Sequence, residues 1–152
     1  MALTRRDVLT AGAAGAAAAL GLGAAGAPGA HAAAGRAGVQ QGSVSALPFP
    51  TGTFDLVTAV ETHYYWPDLP SDLLEVRRVL KPGGRLLLIA EAYRGSRADW
   101  LFAPAMRALG AKYLTAAEHR RLLEGAGYAD VEVHEQRSKG WLCAVGRKEA
   151  AD

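Results

Sequence analysis

Residues 79–90 read Val-Leu-Lys-Pro-Gly-Gly-Arg-Leu-Leu-Leu-Ile-Ala, and this stretch decides the fold class. Its second half, Arg85 to Ala90, is a continuous apolar run of strand length, typical of a strand buried on both faces of a parallel sheet. The segment before it, Ser71 to Leu80, carries apolar residues at helical spacing, and Gly83-Gly84 predicts the end of that helix. A helix that leads directly into a buried strand indicates an α/β protein.

A second buried strand is predicted upstream, over Phe54 to Val60, where the sequence is short, apolar and rich in β-branched residues. The segment before it, residues 46–53, contains two prolines and a glycine and predicts a loop. A further short strand is predicted from Val39 to Val44.

The downstream half alternates helices and strands in the same way. Trp100 to Leu109 predicts a helix, and Thr115 with Glu118 forms the pattern of a capping box that opens another, ending near Gly125. A half-exposed strand around Val131 and Val133 and a last strand over Trp141 to Val145 predict an antiparallel hairpin at one edge. The expected fold is therefore an α/β sheet, mostly parallel, with a closing antiparallel hairpin.

Composition narrows the class of protein further. The 152 residues carry a formal net charge of +2 and no cluster of Lys and Arg, which argues against a nucleic-acid binder. The single cysteine, Cys143, excludes an internal disulfide, and we expect it to be a buried core thiol. His119 and His134 are expected on solvated faces, and no metal-ligand spacing is present.

The amino-terminal region differs from the rest of the chain. From Ala11 to Gly35, 21 of 25 positions are Ala or Gly. Paired arginines, Arg5-Arg6, precede this run, and Ala30-His31-Ala32 offers a small-residue cleavage site after Ala32. The pattern predicts an export signal over 1–32, similar to a twin-arginine signal, with no membrane span after its removal. The alternatives are a disordered tail or a wrongly assigned start in a cytoplasmic protein.

The predicted domains follow from that division. They are the signal at 1–32, a linker at 33–38, an α/β domain at 39–148 and a tail at 149–152.

Two blocks of the α/β domain carry a family resemblance. Ala46-Leu47-Pro48-Phe49-Pro50-x-Gly52-x-Phe54-Asp55-Leu56-Val57 and Val79-Leu80-Lys81-Pro82-Gly83-Gly84-Arg85-Leu86 resemble class I methyltransferases that use S-adenosylmethionine. The group includes ubiquinone and menaquinone biosynthesis enzymes, and the resemblance covers about residues 38–147. It implies a Rossmann-like sheet, S-adenosylmethionine as cofactor and a small-molecule methyl acceptor.

The resemblance also implies where the cofactor binds. Ligands of open α/β sheets lie beyond the carboxyl ends of the strands. The turn of Ser43 and Val44 is implied to contact the adenine, with Ser43 where many members carry an acidic residue. The turn of Val60 and Glu61 is implied to run beside the methionine part.

A polar and aromatic cluster follows that second turn. Tyr64, Tyr65 and Trp66 are predicted to line the pocket of the sulfonium and the substrate. Glu61 or His63 is predicted as a base that takes a proton from the acceptor, although methyl transfer by proximity needs no base. The competing interpretation is a helix start packed with aromatics, with His63 exposed. Asp55 is expected to brace the strand entrance.

The family's glycine-rich first half is expected to be missing. The Gly12-x-x-Gly15 spacing is predicted to have no strand before it, so the chain resembles the carboxyl-terminal half of the fold. The edge of the Phe54–Val60 strand would then be exposed and favour self-association. Three functions remain open: methyl transfer by a truncated or complemented chain, a non-catalytic exported binding domain, and a gene-boundary artefact.

Overall fold

A computed structural model describes residues 8–11 and 40–150 of the chain. Within them lie five strands, three α-helices and a short 3-10 helix at His63–Tyr65. In chain order the elements are β1 (Val8–Ala11), β2 (Phe54–Val60), α1 (Leu69–Val79), β3 (Leu80–Ala90), α2 (Asp99–Ala108), α3 (Ala116–Gly125), β4 (Tyr128–Gln136) and β5 (Trp141–Lys148).

The strands form one mixed sheet in the order β1-β2-β3-β5-β4. β1, β2 and β3 pair in parallel, and β5 runs antiparallel to both β3 and β4. The last strand is thus inserted, reversed, between β3 and β4, and the other four strands share one direction. The predicted α/β fold, mostly parallel with an antiparallel closing hairpin, is confirmed.

β1 corrects two expectations about the first half of the chain. Val8–Ala11 is a strand and directly precedes Gly12, so the prediction that no strand stands before Gly12-x-x-Gly15 is wrong. Its residues pair with Leu56 to Ala59, so the edge of β2 that was expected to be exposed is covered over four residues. The remainder of the predicted export signal at 1–32, and the linker at 33–38, lie outside the described residues.

The junction between α1 and β3 is tighter than the sequence predicts. α1 ends at Val79, and Leu80 already has extended backbone, with φ −72° and ψ 139°. Gly83 does adopt a left-handed φ of 77°, but it lies inside β3 and not at the end of the helix. Leu80 pairs with Phe54 across the sheet, so the helix ends one residue before the predicted Leu80.

The core lies between the sheet and the helices α1 and α3. Alternate residues of β3 are buried against this layer, and the residues between them are only half-buried. The buried set includes Leu73, Val76, Val79, Leu86, Leu88, Leu123, Leu142 and Ala144. Strong burial on one face, with partial burial on the other, differs from the expectation of strands buried on both faces.

Most of the remaining predicted elements are confirmed, and one predicted strand is not formed. The loop over 46–53, both later helices and the closing hairpin are confirmed, and Thr115 and Glu118 form the complete capping box. Residues 40–44 are not a strand, because the chain turns there with a single antiparallel bridge between Ser43 and Ala46. Among the described residues, no helix is long and apolar enough to cross a membrane.

Candidate functional site

Two predicted ligand-facing turns lie toward the carboxyl edge of the sheet. From the end of β2 the chain passes through the 3-10 helix to the start of α1, so the first turn of α1 lies at that edge. Ser45 Oγ donates a 2.6 Å hydrogen bond to Asp72 Oδ1 in that first turn. The structure therefore brings the turn around Ser43 and the turn around Glu61 to the same end of the sheet, where open α/β sheets bind ligands.

The first turn is held by local hydrogen bonds. The Ser43 carbonyl accepts from the Ala46 amide at 3.1 Å, and Ser43 Oγ accepts from the Ser45 amide at 3.3 Å. Ser43 is exposed, whereas Val44 is half-buried and packs on the core. Since the Ser43 hydroxyl retains its proton, it can donate a hydrogen bond to a ligand as well as accept one.

Glu61 links the ends of β2 and β3. Its backbone is left-handed, with φ 56°, which is uncommon for a residue with a side chain. The Glu61 amide donates to the Ile89 carbonyl at 3.0 Å, and Glu61 Oε1 accepts from the Glu91 amide and, at 3.3 Å, from Tyr64 Oη. Partial burial raises the pKa of the Glu61 carboxyl, against these hydrogen bonds. Glu61 is thus a fixed, half-buried carboxyl at the carboxyl edge.

The aromatic cluster is mainly core, which corrects the prediction for two of its three members. Tyr64 is buried, and its hydroxyl donates to the Ala92 carbonyl at 2.7 Å and accepts from the Ala92 amide at 3.1 Å. Trp66 is buried as well, so neither ring presents a free wall to a ligand. Tyr65 is 46% exposed and remains a predicted pocket residue.

His63 is enclosed by the fold. Its side chain has no exposed surface, and its Nε2 lies 3.1 Å from Nε2 of His119. His119 Nδ1 lies 2.8 Å from the Thr115 carbonyl, to which only a protonated nitrogen can bond. His119 Nε2 is then the acceptor for His63 Nε2–H, and His63 Nδ1 is left without a partner among the described residues.

This pairing overturns three expectations. Burial and the neighbouring His119 lower the pKa of His63 to about 3, and burial lowers the pKa of His119 too. His63 is neutral and out of reach of a substrate, so its predicted role as a base is wrong. The expectations that His63 would otherwise be exposed and that His119 faces solvent are also wrong.

Sequence reasoning missed the contact between these histidines because they are 56 residues apart. A signal was present in α3, where His119 and the buried Leu123 are four residues apart and share one helical face. The sequence also predicted that His134 faces solvent and that Cys143 lies in the core. His134 is exposed as expected, whereas Cys143 is half-buried instead of fully buried.

An ion pair lies at the amino end of β2, and a groove lies beside α1. Asp55 Oδ2 forms a 2.9 Å ion pair with Lys81 Nζ, which fits its expected role of bracing the entrance of β2. A shallow groove of about 510 Å³ runs between the start of α1 and α3, with Leu69, Leu114 and Leu122 in its lining. Within residues 40–150 no group of three or more His, Cys, Asp or Glu side chains could hold a metal ion.

Comparison with known proteins places these features in a family. A model of a methyltransferase domain matches residues 13–88, which is half of the chain and begins two residues after β1. The chain is 45% identical over 53 residues to a demethylmenaquinone methyltransferase of Lactococcus lactis, covering 35% of this chain and 21% of that protein. It is 30% identical over 107 residues to a rice chloroplast 2-methyl-6-phytyl-1,4-hydroquinone methyltransferase, covering 70% and 31%.

The fold is also found among solved structures. A SAM-dependent methyltransferase of Thermotoga maritima, described as a possible histamine N-methyltransferase, superimposes with a TM-score of 0.64 at 20% identity. The superposition covers 71% of this chain and 62% of that one. The matched regions span less than a third of the curated relatives' own length.

Proposed function

This chain belongs to the methyltransferase domain family, and from that premise we propose that it binds S-adenosylmethionine and promotes transfer of its methyl group to a small molecule. The observation that carries the proposal is that the Ser43 turn lies beside the first turn of α1, at the end of the sheet where β2 leads into Glu61. That edge is where the fold class binds its ligands.

The residues at this edge fit the cofactor chemically. S-adenosylmethionine supplies a methyl group already activated on a positively charged sulfur. The half-buried Glu61 carboxyl offers an anion next to a buried Thr62 hydroxyl that has no hydrogen-bond partner among the described residues. Ser43, exposed in its turn, offers a hydrogen bond to the adenine. Val44 and Val60 flank these two groups in the chain.

The chemistry that we propose for the chain is positioning. Holding a methyl donor and an acceptor in line removes much of the entropic cost of a bimolecular reaction. Because His63 is buried, Glu61 is the predicted base that remains at the carboxyl edge. Its raised pKa brings the carboxylate closer to the range in which it accepts a proton effectively.

The acceptor that we propose is a small, ring-bearing and largely apolar molecule. Support comes from the two relatives, which are methyltransferases of demethylmenaquinone and of a phytyl hydroquinone. The groove beside α1 supports the same class, since three of its lining residues are leucines and two are prolines, Pro67 and Pro70.

We also propose that residues 8–11 are retained in the functional protein. This proposal agrees with the alternative in which the predicted signal is a wrongly assigned start. The pairing of β1 with β2 and the family match from residue 13 support this proposal. Cleavage after Ala32 would remove β1 and residues 13–32 of the family match. Export through the twin-arginine route stays a prediction from the sequence.

Binding of the cofactor to the full chain tests the proposal. In isothermal titration we expect saturable binding of S-adenosylmethionine, and Glu61→Gln should weaken it about tenfold, corresponding to about 1.4 kcal/mol for one lost charge contact. Gln retains an oxygen for the Glu91 amide, so the turn should persist.

Glu132→Gln is the matched control, because Glu132 is an exposed carboxylate on β4, remote from this edge. It should leave the affinity unchanged. Absence of heat at millimolar S-adenosylmethionine, or equal weakening by both substitutions, would contradict the proposal.

A further inference from the structure

Helix α2 presents an apolar face to solvent, which is unusual for a helix of a soluble domain. Met106 is its one buried residue. Trp100 is 78% exposed, Leu101 57% and Leu109, directly after the helix, 63%. Large apolar side chains clustered in this way mark an interaction surface more often than chance exposure does.

The exposed apolar residues share one side of the helix. At 3.6 residues per turn, the exposed positions 100, 101, 104, 105, 108 and 109 cover about half of the circumference. They are Trp100, Leu101, Pro104, Ala105, Ala108 and Leu109. No charged residue interrupts this half, and Arg107 lies at its border.

Basic residues flank α2 along the chain, with Arg97 before it, Arg107 near its end and Lys112 after it, where Lys112 also lines the groove beside α1. Arg97, Arg107 and Lys112 are exposed, and none of them forms an ion pair with another of residues 40–150. The acidic residue of this segment, Asp99, is half-buried and accepts from the Gly95 amide at 3.0 Å. The charge displayed around the face is therefore positive.

Both ends of the α2 segment are anchored at the carboxyl edge of the sheet. Before the helix, Ser96 packs beside Gly140 at the end of β3 and start of β5. After it, the Lys112 amide donates a 2.8 Å hydrogen bond to the Tyr64 carbonyl, three residues beyond Glu61. The apolar face thus lies beside the candidate site.

We propose that α2 docks this protein on the surface of a lipid bilayer that contains anionic lipids. An apolar face of Trp and Leu bordered by Arg and Lys is typical of a helix that lies in the membrane interface. The apolar side chains enter the boundary of headgroups and acyl chains, and the three cations attract the negative headgroups. The positive charge of these basic side chains complements the negative headgroups of the bilayer. An apolar protein surface would gain no such attraction.

Vesicle binding by the full chain tests this docking. We expect flotation with phosphatidylcholine vesicles that contain 30% phosphatidylglycerol, by analogy with anionic membranes at about that charge density. Trp100→Ser with Leu101→Ser should reduce the partition coefficient at least tenfold. Arg97→Gln, Arg107→Gln and Lys112→Gln together should abolish the preference for anionic over neutral vesicles.

Matched controls lie elsewhere on the surface. Leu74→Ser replaces an apolar side chain that is 52% exposed on α1, and Arg85→Gln replaces an exposed cation in the middle of β3. Both should bind vesicles like the parent chain. The far-ultraviolet circular dichroism of every variant should match the parent, because the replaced side chains are exposed.

Three results would overturn the proposal. The first is no binding to anionic vesicles, or binding that the Trp100 and Leu101 substitutions leave unchanged. The second is a dimer in sedimentation without lipid that these substitutions dissociate, since a second copy would then cover the face. The third concerns the fluorescence of Trp100, obtained as the difference between the parent chain and Trp100→Phe. An emission maximum typical of an apolar environment in water, unchanged when vesicles are added, would show that another part of the chain covers this side chain. None of these readouts depends on methyl transfer.

Discussion

His63 and His119 illustrate how a titratable residue can be used for packing instead of catalysis. Their Nε2 atoms lie 3.1 Å apart in the core, and both side chains are buried. Each neutral ring carries one N–H. His119 donates its N–H to the Thr115 carbonyl, and His63 donates its N–H to His119. Protonation of His119 at Nε2 would place two donors face to face, and protonation of His63 at Nδ1 would create a buried charge with no partner among the described residues.

The pair should make stability depend on pH below neutrality. The unfolded histidines titrate near the usual 6.5, whereas folding lowers both pKa values, that of His63 to about 3. As the pH falls below 6.5 the unfolded chain binds protons that the folded chain does not, so stability falls. We expect the contribution to be complete above pH 6.5 and to decline from there toward pH 3, measured by urea unfolding at a series of pH values.

Substitutions separate the pair from other acid-sensitive groups. His119→Leu leaves His63 Nε2–H without its acceptor, and we expect a loss of about 1–3 kcal/mol at pH 7.5. His63→Leu with His119→Leu should cost less than the sum of the single changes, because no polar group is then left unpaired. The double variant should also show a shallower decline between pH 6.5 and pH 4; an unchanged slope would contradict the assignment.

At the scale of elements, the junction of α1 and β3 depends on Gly84 as much as on Gly83. A Cβ on Gly84 would lie 2.9 Å from the Lys81 carbonyl oxygen, 3.1 Å from that of Phe54 and 3.2 Å from that of Asp55. All three are backbone atoms of β2 or β3, which cannot move aside without disturbing the sheet. The second glycine of the motif is therefore required for close strand approach.

Gly84→Ala should destabilise the domain. Overpacking against fixed atoms typically costs about 1–3 kcal/mol, and we expect a loss in that range by urea denaturation. Gly125→Ala is the control, because a Cβ there meets nothing within 4 Å at the end of α3. It should be neutral or slightly stabilising, and equal losses for both would show that general backbone effects dominate.

At the scale of the whole molecule, β1 completes the edge of the sheet. Val8–Ala11 pairs with Leu56–Ala59, so the strand that leads to Glu61 has neighbours on both sides. Deleting β1 would leave unpaired amides and carbonyls along an apolar strand, which is a template for association.

We therefore expect a chain that begins at Gly12 to self-associate, as measured by light scattering over a range of concentrations. A chain that begins at Val8 keeps β1 and serves as the control, and it should scatter like the full chain. Identical monomeric behaviour of both truncated chains would contradict a stabilising role for β1.

Local pattern by itself determined most of the elements in residues 46–148. The apolar runs of β2 and β3, the capping box of α3 and the closing hairpin follow from spacing, since burial of a strand or a helical face requires that periodicity. The quoted blocks likewise predicted the family, which the match over residues 13–88 confirms. The pattern did not predict β1, because four residues ahead of an Ala/Gly run resemble a leader when they are considered without their partner strand.

Tertiary structure alone decided which chemistry-bearing residues are accessible. His63, Tyr64 and Trp66 follow β2 in a sequence that looks equally suited to a pocket or a core, and only the packing of α3 and the loop near Ala92 buries them. The outward face of α2 was likewise undetermined, because an apolar helical stripe does not reveal whether a neighbour covers it. Burial is a property of residues distant in sequence, and for that reason the pattern along the chain could place the elements but not assign their exposed faces.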